Sequence, residues 1–467
     1  MNTLVVTLDA VRRDHLSQYG YERDTLPAAD MLLSDDETTP ASASNEGNDR
    51  PAGIRFDQAV VNGTYTGISL PSLLTSRYLG DDAVRAGPTI GSALPDEVRT
   101  GAIHSNTFFA SKFDDVSGMD VYEDFFGQTD HDDDIPVANR VTRTIFDAVR
   151  PRLKRLGLFE AARRLQEAVF PPSLIHEVAV FESAATTTDR ALSFVESTGG
   201  EFFLWVHYMD PHRPYAINAD PPAYAPQMDR QEIIDLMAQA GVNPDSIDDA
   251  DRQLLIDLYD SAIRYTSEYV SRLFEGLQST GRWDDTAVVL TADHGEEFGE
   301  HEMYFHRNRP YDELVRVPLF LRVPGTAPAE MGLDPVVTEQ RELLDVAPTV
   351  CRLHGVEPPE AFLGTDLREA DPRRAITRGS FADDDTVVAA RWDGWKYIDI
   401  GGEPHLYDLE SDPGERHECA DGHPEHWRRY REVIPPRLLE SEDTGAPDAE
   451  TVDEDTRQRL EDLGYLE

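Results

Sequence analysis

The sequence predicts an α/β protein built on a large, mostly parallel sheet, and three observations carry that prediction. Apolar runs with strand character recur along the chain, at Leu4 to Leu8, Gly101 to Ile103, Phe202 to Tyr208, Ala287 to Thr291 and Val317 to Val323. Amphipathic stretches lie between them, the clearest being "LYDSAIRYTSEYVSRLFEGL" from Leu258 to Leu277, whose apolar residues recur every three or four positions. Carboxylates and histidines follow several of the runs directly, at the strand ends where open α/β sheets bind ligands.

Each element has its own justification. The first run, "LVVTL", ends at Asp9, and no basic segment precedes it. No apolar run approaches the roughly 18 residues of a membrane span, so the expected protein is soluble and cytoplasmic. Residues 34–53, "SDDETTPASASNEGNDRPAG", are polar and of low complexity and read as a surface loop without chemistry. "TGISLPSLLTSR", Thr66 to Arg77, reads as a helix start with Ser69 able to cap and Pro71 in the first turn. From Arg140 to Arg164 basic and apolar residues interleave; this is either a lid or docking face for anions or a solvated helix pair interrupted at Pro151. In "FFLWVHYMDPHRPY" a buried strand is followed by Asp210 and His212, with Pro211 and Pro214 stiffening the loop. "AVVLTA" is followed by Asp293 and His294, and His306 lies shortly after in "YFHRNRPY".

Charge narrows the function classes. Acidic residues outnumber basic ones by 89 to 43, a net charge of −46, and Lys112, Lys154 and Lys396 are the only lysines. Such a chain repels nucleic acid and anionic membranes. Selective loss of lysine suggests a halophile, in whose molar salt the screening length is about 3 Å. The two cysteines, Cys351 and Cys419, are too few for a disulfide framework and read as reduced. With 40% hydrophobic content, 467 residues can bury a large core, and no internal repeat divides them.

Asp9, Asp293 and His294, placed after two buried strands, form a candidate site for one hard divalent cation. Taken singly, Asp9 could cap a helix and His294 is one of 14 histidines. His212 and His306 are candidates for donating a proton to a leaving group near neutral pH.

Six blocks, "LVVTLDAVRRDHLSQYGYERDTLP", "FDQAVVNGTYTGISLPSLLTSR", "HYMDPHRPY", "VVLTADHGEEFGEH", "YDELVRVPL" and "HLYDLESDPGERHE", resemble the sulfatase family of the alkaline phosphatase superfamily, in that family's order. The resemblance implies a three-layer α/β/α catalytic domain over residues 1–370, and over residues 371–467 a small antiparallel subdomain with a closing helix. It places Thr66 where sulfatases carry the cysteine or serine that becomes formylglycine. Threonine is the nucleophile of nucleotide pyrophosphatase-like and phosphoethanolamine transferase-like relatives, so Thr66 is read as both nucleophile and cation ligand. Ser69 is the rival nucleophile, and Ser72 and Thr75 are read as structural. Ser69, Asp210 and Asn106 are candidates for holding substrate.

The chain also departs from the sulfatase pattern. Ala10 replaces the second of the usual paired aspartates, Leu70 the motif arginine, and His306 stands where a lysine is usual. "TGAIHSNTFF" lacks the lysine and histidine of the corresponding segment. The expectation is therefore a metal-dependent hydrolase of oxyanion esters, small or glycan-linked, that uses one Mn, Mg, Ca or Zn ion and favours phosphodiester or phosphonate esters. Three other readings stay open: a true sulfatase, a transferase of phosphoryl head groups, and a non-catalytic protein that binds metal and anion.

Overall fold

The computed structural model describes residues 1–34, 53–78, 87–106, 118–125, 181–306, 309–369, 374–379 and 386–439. Eight strands form the central sheet: β1 (Asn2–Leu8), β2 (Gly53–Phe56), β3 (Arg99–Ile103), β4 (Val121–Glu123), β5 (Phe202–Tyr208), β6 (Thr286–Ala292), β7 (Leu319–Arg322) and β8 (Val336–Val337). Their order is β8-β2-β7-β6-β1-β5-β3-β4, and β7 alone runs antiparallel to its neighbours β6 and β2. Every residue of β1, β5 and β6 is buried, as expected of central parallel strands covered on both faces. Five helices matter below: α1 (Thr66–Thr75), α2 (Ala184–Ser197), α3 (Asp249–Ser279), α4 (Val346–Leu353) and α5 (Pro424–Arg431). α2 packs against α3, and α1 against α4.

Two elements differ from the sequence expectation. The run Val317 to Val323 divides at Pro318, which has no N–H to donate to a ladder. Arg316–Val317 pairs antiparallel with Ala59–Val60, and the remainder becomes β7. The amphipathic stretch expected over Leu258 to Leu277 is the middle of the longer α3. Asp248 caps that helix by accepting from Ala250 N and Asp251 N, both at 2.9 Å, which satisfies donors that the first turn leaves open.

Beside the main sheet lies a four-stranded antiparallel sheet, β9 (Ala375–Gly379), β10 (Val387–Trp392), β11 (Trp395–Ile400) and β12 (Glu403–Asp408). β9 adds to the chain leading into α1: Arg378 N donates to Asn62 O and Thr64 N to Arg378 O, both at 3.1 Å. Further on, buried Lys396 meets Asp312 at 2.5 Å and Glu415 at 2.9 Å, and Arg391 reaches Asp312 at 3.2 Å. The aromatic residues here pack the subdomain. Trp395 stacks on His426 with centroids 4.9 Å apart, Trp392 lies 5.9 Å from Tyr430, and Tyr397 is buried.

Cys351 and Cys419 are free thiols. No helix among the described residues is long and apolar enough to cross a membrane. The basic segment from Arg140 to Arg164, the interior of the 34–53 loop, the domain boundary after residue 370 and the terminal closing helix lie outside the described residues.

Candidate active site

The ends of three adjacent strands build the site. Beyond β1, Asp9 N donates to Tyr208 O of β5 at 2.9 Å; beyond β6, Asp293 N donates to Leu8 O of β1 at 3.2 Å. The ladder thus continues one residue past each strand and fixes both aspartates. Ala10 then turns the chain away in the left-handed region, φ 55°, with its N–H on Asp293 Oδ1 at 3.1 Å and its carbonyl accepting from Tyr259 OH at 2.6 Å. Gly295 follows His294 at a point where a Cβ would stand 1.8 Å from Glu313 O, so only glycine fits.

Asp9, Asp293 and His294 are fully buried, and one donor atom from each lies within 4.8 Å of the others. His294 Nδ1 is 2.8 Å from Gly295 O; a carbonyl only accepts, so Nδ1 carries a proton, and a ring deprotonated at Nε2 would present that lone pair to a cation. Nε2 lies 3.7 Å from Asp293 Oδ2 and 4.0 Å from Asp9 Oδ1. Among the described residues neither of those carboxylate oxygens has a hydrogen-bond partner. Burial, and then the Asp293 charge, push the Asp9 carboxyl well above its ordinary range. Burial acts to lower the His294 pKa, but the Asp293 and Asp9 charges outweigh it and the net shift is upward. Buried carboxylates with orphaned oxygens facing an imidazole lone pair fit a hard divalent cation.

α1 delivers the hydroxyls. It begins at Thr66 and not near Ser69: its cap position is Tyr65, which offers no side-chain cap, and the buried Pro71 lies inside the helix. Thr66 Oγ1 is 3.3 Å from Asp9 Oδ2 and 3.3 Å from His294 Nε2. Ser69 is no cap; its hydroxyl donates to the Asp293 carbonyl. Thr75 Oγ1 donates back to Pro71 O at 2.7 Å, and Ser72 is buried in the same helix.

Two further histidines extend the row. The His294 and His306 ring centroids are 4.6 Å apart, those of His306 and His212 5.3 Å. His306 Nδ1 is 3.0 Å from Glu296 Oε1, whose other oxygen accepts from Tyr215 OH at 2.7 Å. His212 Nδ1 donates to Arg213 O at 2.6 Å, and burial followed by repulsion from His306 lowers its pKa well below the ordinary value. Asp210 accepts from Asn218 Nδ2 at 2.9 Å, and burial raises its pKa to about 7. Asn106 Nδ2 reaches Met209 Sδ at 3.3 Å. These contacts tie Asp210 and Asn106 to the loop after β5.

Two residues that the sequence reading passed over stand in this group. Glu296 hid in the charged run "DHGEEFGEH", where a paired carboxylate looks like a solvated one. His207 sits in "HYMDPHRPY" as the penultimate residue of a wholly buried strand, and its Nε2 lies 3.3 Å from Asp9 Oδ2.

A mostly parallel sheet with aspartates, a histidine and a helix-borne hydroxyl at its carboxyl edge is a recognisable α/β scaffold, and comparison with known proteins gives its family. The family model described as Sulfatase matches residues 1–356, so this chain belongs to the sulfatase family. Choline-sulfatase of Rhizobium meliloti is 32% identical over 176 residues, which cover 35% of this chain and 32% of that protein. The structure of BT4656 with its substrate D-glucosamine-2-N,6-O-disulfate is similar with a TM-score of 0.63 at 18% identity, covering 94% of this chain and 96% of that one. The phosphonate monoester hydrolase of Silicibacter pomeroyi is similar with a TM-score of 0.60 at 18% identity, covering 95% and 96%. The chain spans between about a quarter and a half of the length of the curated relatives it matches.

Proposed function

We propose that this protein is a metal-dependent hydrolase of oxyanion esters that attacks through the Thr66 hydroxyl and favours phosphodiester or phosphonate esters over sulfate esters. The observation that carries the reading is the position of Thr66 Oγ1, buried at the first residue of α1 and 3.3 Å from both Asp9 Oδ2 and His294 Nε2. Ser69, the rival, already spends its proton on a backbone carbonyl.

Asp9, Asp293, His294 and Thr66 are the residues that would hold a divalent ion, one of Mn, Mg, Ca or Zn. Such an ion lowers the pKa of a hydroxyl bound to it and offsets negative charge on an ester oxygen. The chain itself supplies the rest. The N-terminal end of α1, the positive end of its dipole, favours a developing anion beside Thr66. Thr66 Oγ passes its proton to Asp9 Oδ2, to which it already donates, and forms the new bond to phosphorus while the bond to the alcohol oxygen breaks; that oxygen takes a proton from a histidine. His306 suits that role better than His212: Glu296 accepts from its Nδ1 and steadies a positively charged ring, whereas burial holds His212 neutral. Water then bonds to phosphorus as the bond to Thr66 Oγ breaks; the histidine left neutral by the first step takes the water proton, and Asp9 returns its proton to Thr66 Oγ. Asp210, Asn106 and Ser69 are proposed to bear on substrate only by shaping this loop and helix.

An unmodified threonine must have its covalent ester hydrolysed at the central atom, whereas a formylglycine hemiacetal sulfate can collapse by elimination. That difference favours phosphorus over sulfur here. Nitrophenyl sulfate, phosphate, phosphodiester and phosphonate, assayed side by side, test the reading. Faster cleavage of the phosphodiester or phosphonate supports it, and preference for sulfate refutes it in favour of a true sulfatase. Added alcohols that divert product from free acid to a new ester would mark a transferase. Turnover of none of the four, with metal still bound, would mark a binding protein.

A further inference from the structure

His207 has no part in the chemistry proposed above, yet it is fully buried against it. We infer that His207 is a positioning residue that sets the Asp9 carboxylate so that Oδ1 faces the cation site; the inference rests on the cation reading given above. In the sheet register His207 on β5 stands opposite Thr7 on β1, two residues before Asp9. Its Nδ1 is 2.9 Å from Thr7 Oγ1, and that same oxygen accepts the Trp205 indole N–H at 2.9 Å.

An indole nitrogen can only donate, so one Thr7 lone pair is taken. Thr7's own proton has two acceptors within reach, His207 Nδ1 at 2.9 Å and Val206 O at 3.5 Å. The shorter contact is the stronger bond. Nδ1 therefore accepts, and the ring proton sits on Nε2, at the Asp9 side. There Nε2 approaches Asp9 Oδ2 to 3.3 Å, an ion-pair distance without hydrogen-bond geometry, and among the described residues it has no hydrogen-bond partner.

The two Asp9 oxygens are thereby made unequal. Oδ2 accepts from Thr66 Oγ1 at 3.3 Å and is approached by His207 Nε2, also at 3.3 Å. Oδ1 has no donor among the described residues and lies 4.0 Å from His294 Nε2. A carboxylate with one oxygen bonded to a hydroxyl and approached by a ring nitrogen is less free to rotate and offer the wrong oxygen, so less order has to be imposed when an ion arrives. Partners of this kind typically contribute 10- to 100-fold in metal affinity.

Mn²⁺ titrated calorimetrically into the full-length protein after chelator treatment tests this with wild type, His207→Gln, His207→Phe and Thr7→Val. Glutamine can place an amide N–H near the Nε2 position, so His207→Gln should bind Mn²⁺ within about threefold of wild type, while His207→Phe should bind about 10- to 100-fold more weakly. Thr7→Val keeps the imidazole but frees its tautomer, and should also weaken binding; it carries the test if His207→Phe does not fold. A ring that merely fills the core predicts the opposite order, with phenylalanine tolerated and glutamine not. Wild-type affinity in His207→Phe, or equal weakening in the glutamine and phenylalanine variants, overturns the inference. Uptake of no ion by wild type overturns the cation reading together with it, and is distinguishable from equal uptake by all four proteins, which overturns the inference alone.

Discussion

Thr66 and Ser69 lie one turn apart on the same helix, yet their hydroxyls meet different partners. Thr66 faces a carboxylate and an imidazole, and Ser69 a carbonyl that ties α1 to the end of β6. Thr66→Ala should therefore lower the rate by about a thousandfold or more, since it removes the group that forms the covalent ester. Ser69→Ala should cost only about 1 kcal/mol of stability, the worth of a typical buried hydrogen bond, with activity largely kept. Activity lost in Ser69→Ala but retained in Thr66→Ala would transfer the nucleophile's role to Ser69. Away from the site, burial and then the nearby N-terminal charge lower the His354 pKa to about 4. Between that value and the unfolded value of about 6.5 the unfolded chain binds more protons, so stability is lost as pH falls through the window. His354→Asn should flatten the dependence of melting temperature on pH between 6.5 and 4, and an unchanged slope would show that His354 does not titrate on unfolding.

At the scale of elements, the site depends on β1 and β6 ending side by side and on β9 bracing the chain that enters α1. Asp293→Ala removes one of the two aspartates at those ends, and its backbone neighbours remain in place. We expect the variant to take up no stoichiometric divalent ion, and a chelator to abolish wild-type activity and lower its melting temperature. Full occupancy in Asp293→Ala, measured by metal analysis, would sink the ligand assignment. The subdomain contact is equally open to test. Burial acts to raise the Asp312 pKa, but Lys396, Arg391 and Arg316 outweigh it and hold that carboxylate below its ordinary range. Lys396→Met leaves Asp312 and Glu415 without their shared buried cation, so it should destabilise by about 3–5 kcal/mol in denaturant unfolding. A loss under about 1 kcal/mol would mean that Arg391 and Arg316 suffice.

For the whole molecule the dominant fact is a net charge of −46. Like charges repel over the surface of a compact fold, and salt screens them: the screening length falls from about 30 Å at 0.01 M to about 3 Å at 1 M. Melting temperature should therefore climb as KCl is raised from tens of millimolar toward molar. A flat profile would contradict adaptation to high salt. The same surface charge disfavours anionic substrates at low ionic strength, so kcat/KM for a phosphodiester should rise with salt even where kcat does not.

By itself the sequence determined the sheet, the family resemblance and the residues of the candidate cation site. Each of these is written locally: β-branched runs demand burial, and Asp9, Asp293 and His294 follow two of those runs directly. What only the tertiary structure decided is contact between segments far apart in the chain. Ser69 reads as a helix cap because its neighbours fit that role; the fold starts α1 three residues earlier and spends its hydroxyl on Asp293. Val317 to Val323 reads as one strand, and its pairing with Ala59–Val60 on one side and β6 on the other splits it at Pro318. Glu296 and His207 carried no signal of their own. A carboxylate in a charged loop and a histidine in a buried strand acquire meaning only when folding places His306 beside the one and Asp9 beside the other. Periodicity records which way a side chain faces, whereas the partner it meets there is set by long-range packing that no local pattern encodes.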